Sequence, residues 1–221
     1  MTADSGGMAD VQGRARKILR KIGIMGGTFD PIHFGHLLAA EESRTALDLD
    51  EVIFIPAGDP AHKRERKTAS PEDRYVMTLL TTLGNQKFTP SRIEIDRKEP
   101  SHTVDTLREM RHWYAPEKVD FFFITGLDAV LGITTWKEHE ALPGLCRIVA
   151  VNRPGYVPQK LESLPDEMRS AIIPLEIPLL SISSTEIRQR IEQGRSIKYL
   201  LPEAVEQYIY KKGLYRRKME V

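Results

Sequence analysis

Cysteine is almost missing from this sequence: Cys146 is the only one in 221 residues. No intrachain disulfide and no multi-cysteine zinc cluster can form from it. That scarcity fits a reducing compartment, and we expect a cytoplasmic protein. An excess of charge is missing too, with 32 basic residues against 31 acidic ones and a net of +1. No uniform field steers such a chain onto nucleic acid or anionic lipid, so neither is expected as a partner, although a local basic pocket for a phosphorylated small molecule is allowed. The sequence also lacks any run of 18 apolar residues, and Met1 to Lys17 has no apolar stretch of the signal-peptide kind. Nothing in those first seventeen residues is periodic, and we expect residues 1–17 to be a flexible leader.

What remains is a globular composition, 41% hydrophobic and 29% charged, in a chain long enough to bury a real core. Short apolar runs alternate with helical ones. Strands are expected at 18–25, 51–56, 88–96, 119–125, 145–151 and, more weakly, 171–177. Helices are expected from near Gly35 to Ala46, from Pro71 to about Leu83, from Thr103 to Tyr114, from Ser184 to Gln193 and from Pro202 to Lys212. Ser70 and Asp73 are placed as a capping box around Pro71 at the first helical position, and residues 57–69 are polar and read as a loop. This alternation predicts an α/β fold, a doubly wound and mainly parallel sheet. No linker or repeat interrupts it. We expect one domain over 18–215, with C-terminal helices from about 183 and a short tail at 216–221.

Two segments carry chemistry. Gly26-Gly27-Thr28-Phe29-Asp30-Pro31-Ile32-His33-Phe34-Gly35-His36 follows the first strand and runs into a helix. Its glycines let a ligand approach the backbone, and a helix start near Gly35 offers free N–H groups to a phosphate. Taken singly, His33 and His36 would read as structural. Together at this position they point to an anion site, and the spacing is not the G-x-G-x-x-G fingerprint of dehydrogenases. The second segment is Ile182-Ser183-Ser184-Thr185-Glu186-Ile187-Arg188. Ser183 and Glu186 alone are explained by a capping box. Three adjacent hydroxyls at a helix start with Arg188 a turn later equally suit a second anion site.

With both segments in view, the chain resembles the nucleotidyltransferase superfamily that carries a His-x-Gly-His motif, here 33–36, and an Ile-Ser-Ser-Thr-x-Ile-Arg motif, here 182–188. Within it the sequence is similar to the bacterial nicotinate-nucleotide adenylyltransferases over about residues 20–215. The likeness includes 100–107, 124–129, Trp136, 151–156, 199–202 and 213–215. It implies adenylyl transfer from ATP to nicotinate mononucleotide, with release of pyrophosphate and with Mg²⁺ carried on the ATP phosphates rather than held by a protein metal site.

By that resemblance His33, His36, Lys63 and Arg188 are catalytic. Gly26, Gly27, Thr28, Phe29, Gly35, Gly126, Asp128, Ile182, Ser183, Ser184 and Thr185 bind ATP, while Thr103 and Trp136 meet the pyridine nucleotide. From the residues alone, Lys63 reads as one of a solvated charge run, Asp128 equally as a ribose-binding carboxylate at a strand end or a helix cap, and Trp136 as core. Ala61 stands where relatives often have a second proline. Pantetheine-phosphate adenylyltransferase, which shares both motifs in a shorter chain, and a non-catalytic nucleotide-binding protein are the alternatives. The sequence leaves nicotinate against nicotinamide preference open, and a homo-oligomer is compatible with it.

Overall fold

The computed structural model describes residues 19–58, 68–115, 117–152, 158–178 and 180–216. The expected leader, Lys63 and most of its loop, and residues 153–156 lie outside them. Six strands, β1 (Arg20–Gly27), β2 (Glu51–Pro56), β3 (Phe88–Pro90), β4 (Val119–Gly126), β5 (Arg147–Asn152) and β6 (Ile172–Glu176), form one sheet in the order β3-β2-β1-β4-β5-β6. Every pairing is parallel. The chain winds outward from β1 in one direction and then, from β4, in the other. The switch point therefore lies between β1 and β4, where open α/β sheets bind ligands at the carboxyl ends of their strands.

Residue alternation along the central strands divides the core between the two faces. Ile22, Ile24, Phe121 and Phe123 pack on one face with Val104, Leu107 and Met110 of α3 (Thr103–Trp113). Phe54, Phe122, Ile124 and Val149 pack on the other with Ala40 of α1 (Phe34–Ala46) and Met77 of α2 (Pro71–Thr82). Ile187 of α7 (Ser184–Glu192) and Val205 and Ile209 of α8 (Glu203–Lys212) join that second core. Three short α-helices, α4 (Leu127–Leu131), α5 (Leu142–Leu145) and α6 (Asp166–Ala171), and 3-10 turns at Ile133–Thr135, His139–Ala141 and Pro158–Ser163 complete the described chain. They are too short to show a 3.6-residue stripe, and the sequence reading did not find them.

Other expectations need correcting. The strand expected at 88–96 ends at Pro90, which has no N–H to offer a ladder. The chain then turns, with Asp96 N–H on Arg92 O, and buries Glu94 beside Ile93. β5 starts two residues later than expected, because Pro143 at a helix start draws 142–145 into α5. Ser70 caps α2 by accepting the Asp73 N–H at 3.1 Å, but its own hydroxyl donates to Asp73 Oδ2 at 2.6 Å. Ser183 likewise accepts the Glu186 N–H at 3.1 Å, while Glu186 turns to Arg190 at 2.6 Å. Each is half of the box the sequence suggested. Cys146 is buried, and that burial pushes its thiol up to about 12, leaving it inert.

Candidate active site

β1 ends in two glycines because the chain has no room there for side chains. A Cβ on Gly27 would stand 2.7 Å from the Phe29 ring, and one on Gly26 would stand 3.3 Å from Phe123. Phe29 itself takes a left-handed backbone, φ 50°, which drives its ring into the core beneath His36, 5.1 Å away and edge-on. The following Asp30–Pro31 bond is cis. Phe29 also borders the polar cavity described below.

The two histidines then cap α1 reciprocally. His33 Nδ1 accepts the Gly35 N–H at 3.1 Å, and His36 Nδ1 accepts the His33 N–H at 3.2 Å. This is the capping box built from imidazoles in place of a hydroxyl and a carboxylate. With Nδ1 engaged as an acceptor, the remaining proton of each ring sits on Nε2. The cap thus fixes two parallel-leaning rings, centroids 3.8 Å apart, as N–H donors.

His33 is 5% exposed, and that burial lowers its pKa from 6.5 to about 4. It stays neutral near pH 7. As pH falls, the unfolded chain takes up this proton first, so stability is lost between about pH 6.5 and about 4. The loss from this group is roughly 3 kcal/mol, the window being about two and a half pH units wide. Urea unfolding at pH 7 and at pH 4.5 should show it. His33→Asn, which keeps a cap acceptor but does not titrate, should show a clearly smaller fall. An equal fall in both chains would refute the assignment.

The late motif lies against this turn. Ser184 Oγ donates to Pro31 O at 2.9 Å, across 153 residues of sequence. Arg188 Nη1 donates to Asp30 O at 2.6 Å, and its Nη2 reaches Thr185 Oγ1 at 3.2 Å. The two segments singled out in the sequence therefore meet.

Three cavities surround the junction. The first, about 390 Å³, opens on the α3 face of the sheet between Gly26, Thr28, Glu94, Thr103 and Trp136. The second, about 360 Å³, opens on the α1 face between Gly26, Gly35, His36, Gly126 and Ile182. The third, about 420 Å³, is the most polar of the three, bounded by Thr28, His36, Ser184, Thr185 and Arg188. Gly26 borders the first two, His36 the last two, and Thr28 the first and third. Each pair of cavities therefore adjoins through a shared lining residue.

Trp136 stands edge-on to Phe123, centroids 6.0 Å apart, half-buried in the wall of the first cavity. Thr103 opens α3 beside it. Asp128 is exposed in the first turn of α4, next to Gly126. Ser183 is exposed and occupied as a cap; Lys63 lies outside the described residues. Among the described residues, no group of three or more His, Cys, Asp or Glu side chains is placed to hold a metal ion.

Sequence reasoning missed three residues here. Arg74, 1% exposed, threads from α2 to the carbonyls of Thr28 (2.9 Å), Ala57 (2.5 Å), Gly58 (2.7 Å) and Ala69 (3.2 Å). It ties the ends of β1 and β2 together. Its signal was a charge standing on the buried stripe of α2, with Met77, Thr78 and Thr81. Glu94 is buried in the wall of the first cavity, where it accepts Thr106 Oγ1 at 2.6 Å. Burial raises its pKa against the pull of Thr106, Ser101 and nearby arginines. Asp30 was within the early motif but had been given no role.

Known proteins share this pattern. Residues 24–190 match the cytidylyltransferase-like family. The chain is 50% identical over 204 residues to a Moorella thermoacetica protein named "Probable nicotinate-nucleotide adenylyltransferase", covering 90% of this chain and 94% of that one. A Thermus thermophilus protein of the same name is 50% identical over 196 residues, 89% of this chain and 100% of its own. Among solved structures, Plasmodium falciparum nicotinic acid mononucleotide adenylyltransferase, complexed with NaAD, superposes with a TM-score of 0.72. It is 22% identical and covers 89% of this chain and 97% of that one, a likeness of fold.

Proposed function

The chain belongs to the cytidylyltransferase-like family and, within it, to the nicotinate-nucleotide adenylyltransferases, and from that premise we propose that it joins the adenylyl group of ATP to nicotinate mononucleotide. The products are nicotinate adenine dinucleotide and pyrophosphate. The observation that carries this reading is that three cavities adjoin in pairs, through Gly26, His36 and Thr28. Two nucleosides and a polyphosphate need three adjoining compartments, and we assign the reacting phosphorus to the region between these three residues.

In the reaction an oxygen of the mononucleotide phosphate bonds to the α-phosphorus of ATP. The bond from that phosphorus to the β-bridging oxygen breaks, and its electron pair leaves with pyrophosphate. The nucleophile is already an anion, so no general base is required. Catalysis then rests on alignment and on donors aimed at developing charge. We assign the α-phosphate to the Nε2–H of His36, with His33 behind it, and the β- and γ-phosphates to Arg188, Thr185 and the amide end of α7. We assign the adenosine to the cavity between Gly35, Gly126 and Ile182, and its ribose to Asp128 in the first turn of α4 beside Gly126. The pyridine fits the cavity of Thr103 and Trp136, whose ring offers a face for stacking. Lys63 keeps the role of a cation reaching over the phosphates. Magnesium, arriving on the ATP phosphates, supplies further charge neutralisation there.

The test is an acceptor panel with ATP and Mg²⁺. Nicotinate mononucleotide should release pyrophosphate and give the dinucleotide. Brisk turnover of phosphopantetheine with none of the pyridine nucleotide would replace this reading with the pantetheine one. ATP binding with no acceptor used would leave a nucleotide-binding protein.

A further inference from the structure

The C-terminal end of the described chain returns beneath the phosphate cavity. α8 stops at Gly213, whose left-handed backbone, φ 64°, reverses the chain and lets Leu214 N–H bond to Ile209 O at 3.0 Å. Tyr215 is also left-handed, at φ 62°, an unfavourable backbone for a bulky residue that the surrounding contacts must hold. Those contacts include the core on the α1 face of the sheet, against which it packs. Its hydroxyl ends 2.8 Å from Asp30 Oδ1.

Asp30 is 5% exposed and divided among several donors. Oδ1 accepts Tyr215 and also the Ala69 N–H at 3.0 Å. Oδ2 makes a long ion pair with Arg188 Nη1 at 3.7 Å, while that nitrogen spends its short bond on the Asp30 main-chain carbonyl. Burial first, and the Asp30 charge second, hold the Tyr215 phenol far above its ordinary pKa. It remains a donor at any working pH. Without that hydroxyl, a buried carboxylate loses part of its solvation, and the guanidinium already in a long ion pair with it can close in to replace the lost donor. Closing that gap would turn Arg188 away from the phosphates and neutralise the charge they need.

We infer that Tyr215 is a positioning residue for polyphosphate binding: its hydroxyl satisfies Asp30, so that Arg188 stays turned toward the ligand. The inference rests on the adenylyl-transfer reading for the ligand's identity, but its test measures ATP binding and needs no acceptor. Calorimetric titration of ATP should show Tyr215→Phe weakening affinity about five- to tenfold in the otherwise unchanged chain. In an Arg188→Ala background the same substitution should change affinity less than twofold, because the group it acts through is gone. The KM for the acceptor, bound on the far face of the sheet, should not move. In an Asp30→Asn background Tyr215→Phe should also be silent, and this pair keeps the test open if the single variant folds poorly. Equal losses with and without Arg188, or a full-strength loss in the Asp30→Asn chain, would overturn the inference. Turnover by the unsubstituted enzyme in the acceptor panel judges the underlying reading separately.

Discussion

Replacing His36 with alanine should lower kcat by two orders of magnitude or more, since a donor aimed at charge that develops in the transition state is worth roughly 10²–10³ in rate. Alanine alone would confuse two effects. His36 Nδ1 also accepts the His33 N–H, and losing that cap acceptor costs stability on the order of 1 kcal/mol. Asparagine and glutamine separate them. Asparagine places an acceptor near Nδ1 and nothing near Nε2, so His36→Asn should melt close to the unsubstituted chain and be nearly inactive. Glutamine reaches the Nε2 position with an N–H, so His36→Gln should keep more activity than the asparagine variant while losing the cap. Steady-state kinetics beside thermal melts decide the matter. If activity follows the melting temperature across all three variants, His36 is structural and the chemistry belongs elsewhere.

The second large effect is expected at Arg74. Its guanidinium holds four main-chain carbonyls from both central strand ends and from Ala69. Arg74→Met keeps much of the aliphatic volume and leaves those buried acceptors without this donor. Each unmet buried group costs about 1–3 kcal/mol, and the four share one donor, so their costs do not simply add. A loss of about 3–5 kcal/mol is expected, or a fall of roughly 10 °C in melting temperature for a chain of this size. Thr28 and the β2 end border the cavity assigned to the acceptor, so the KM for the mononucleotide should rise with it. Lysine should rescue little, because one ammonium cannot reproduce a fork spread over four carbonyls. A melting temperature unchanged within 2–3 °C (about 1 kcal/mol) would show that the carbonyls find other donors.

How much of this was legible in the sequence follows from how local each signal is. The switch-point turn announces itself in eleven adjacent residues, and the start of α7 in seven, because glycines, caps and clustered hydroxyls act over a few residues. Strand–helix alternation gave the parallel sheet for the same reason. The run from Phe88 to Asp96 misled because Ile93 and Ile95 alternate as a strand would, whereas Pro90 ends the ladder and Glu94 turns inward to Thr106. Arg74, Asp30 and Tyr215 were invisible as a set because their partners are remote: 46 residues separate Arg74 from Thr28, and 185 separate Tyr215 from Asp30. No window along the chain holds both ends of such a bond.

The two cavities assigned to the nucleosides lie on opposite faces of the sheet and share only the tip of β1 and its neighbour β4, at Gly26 and Thr125. A dinucleotide formed there straddles that ridge like a rider, one leg in each compartment. It becomes a two-footed ligand, with each foot keeping the other near its hole. Departure then requires both to lift together, while pyrophosphate, tethered to neither, slips away early. On that assignment release of the dinucleotide, rather than bond making, is expected to pace turnover, which a pre-steady-state burst of product would show.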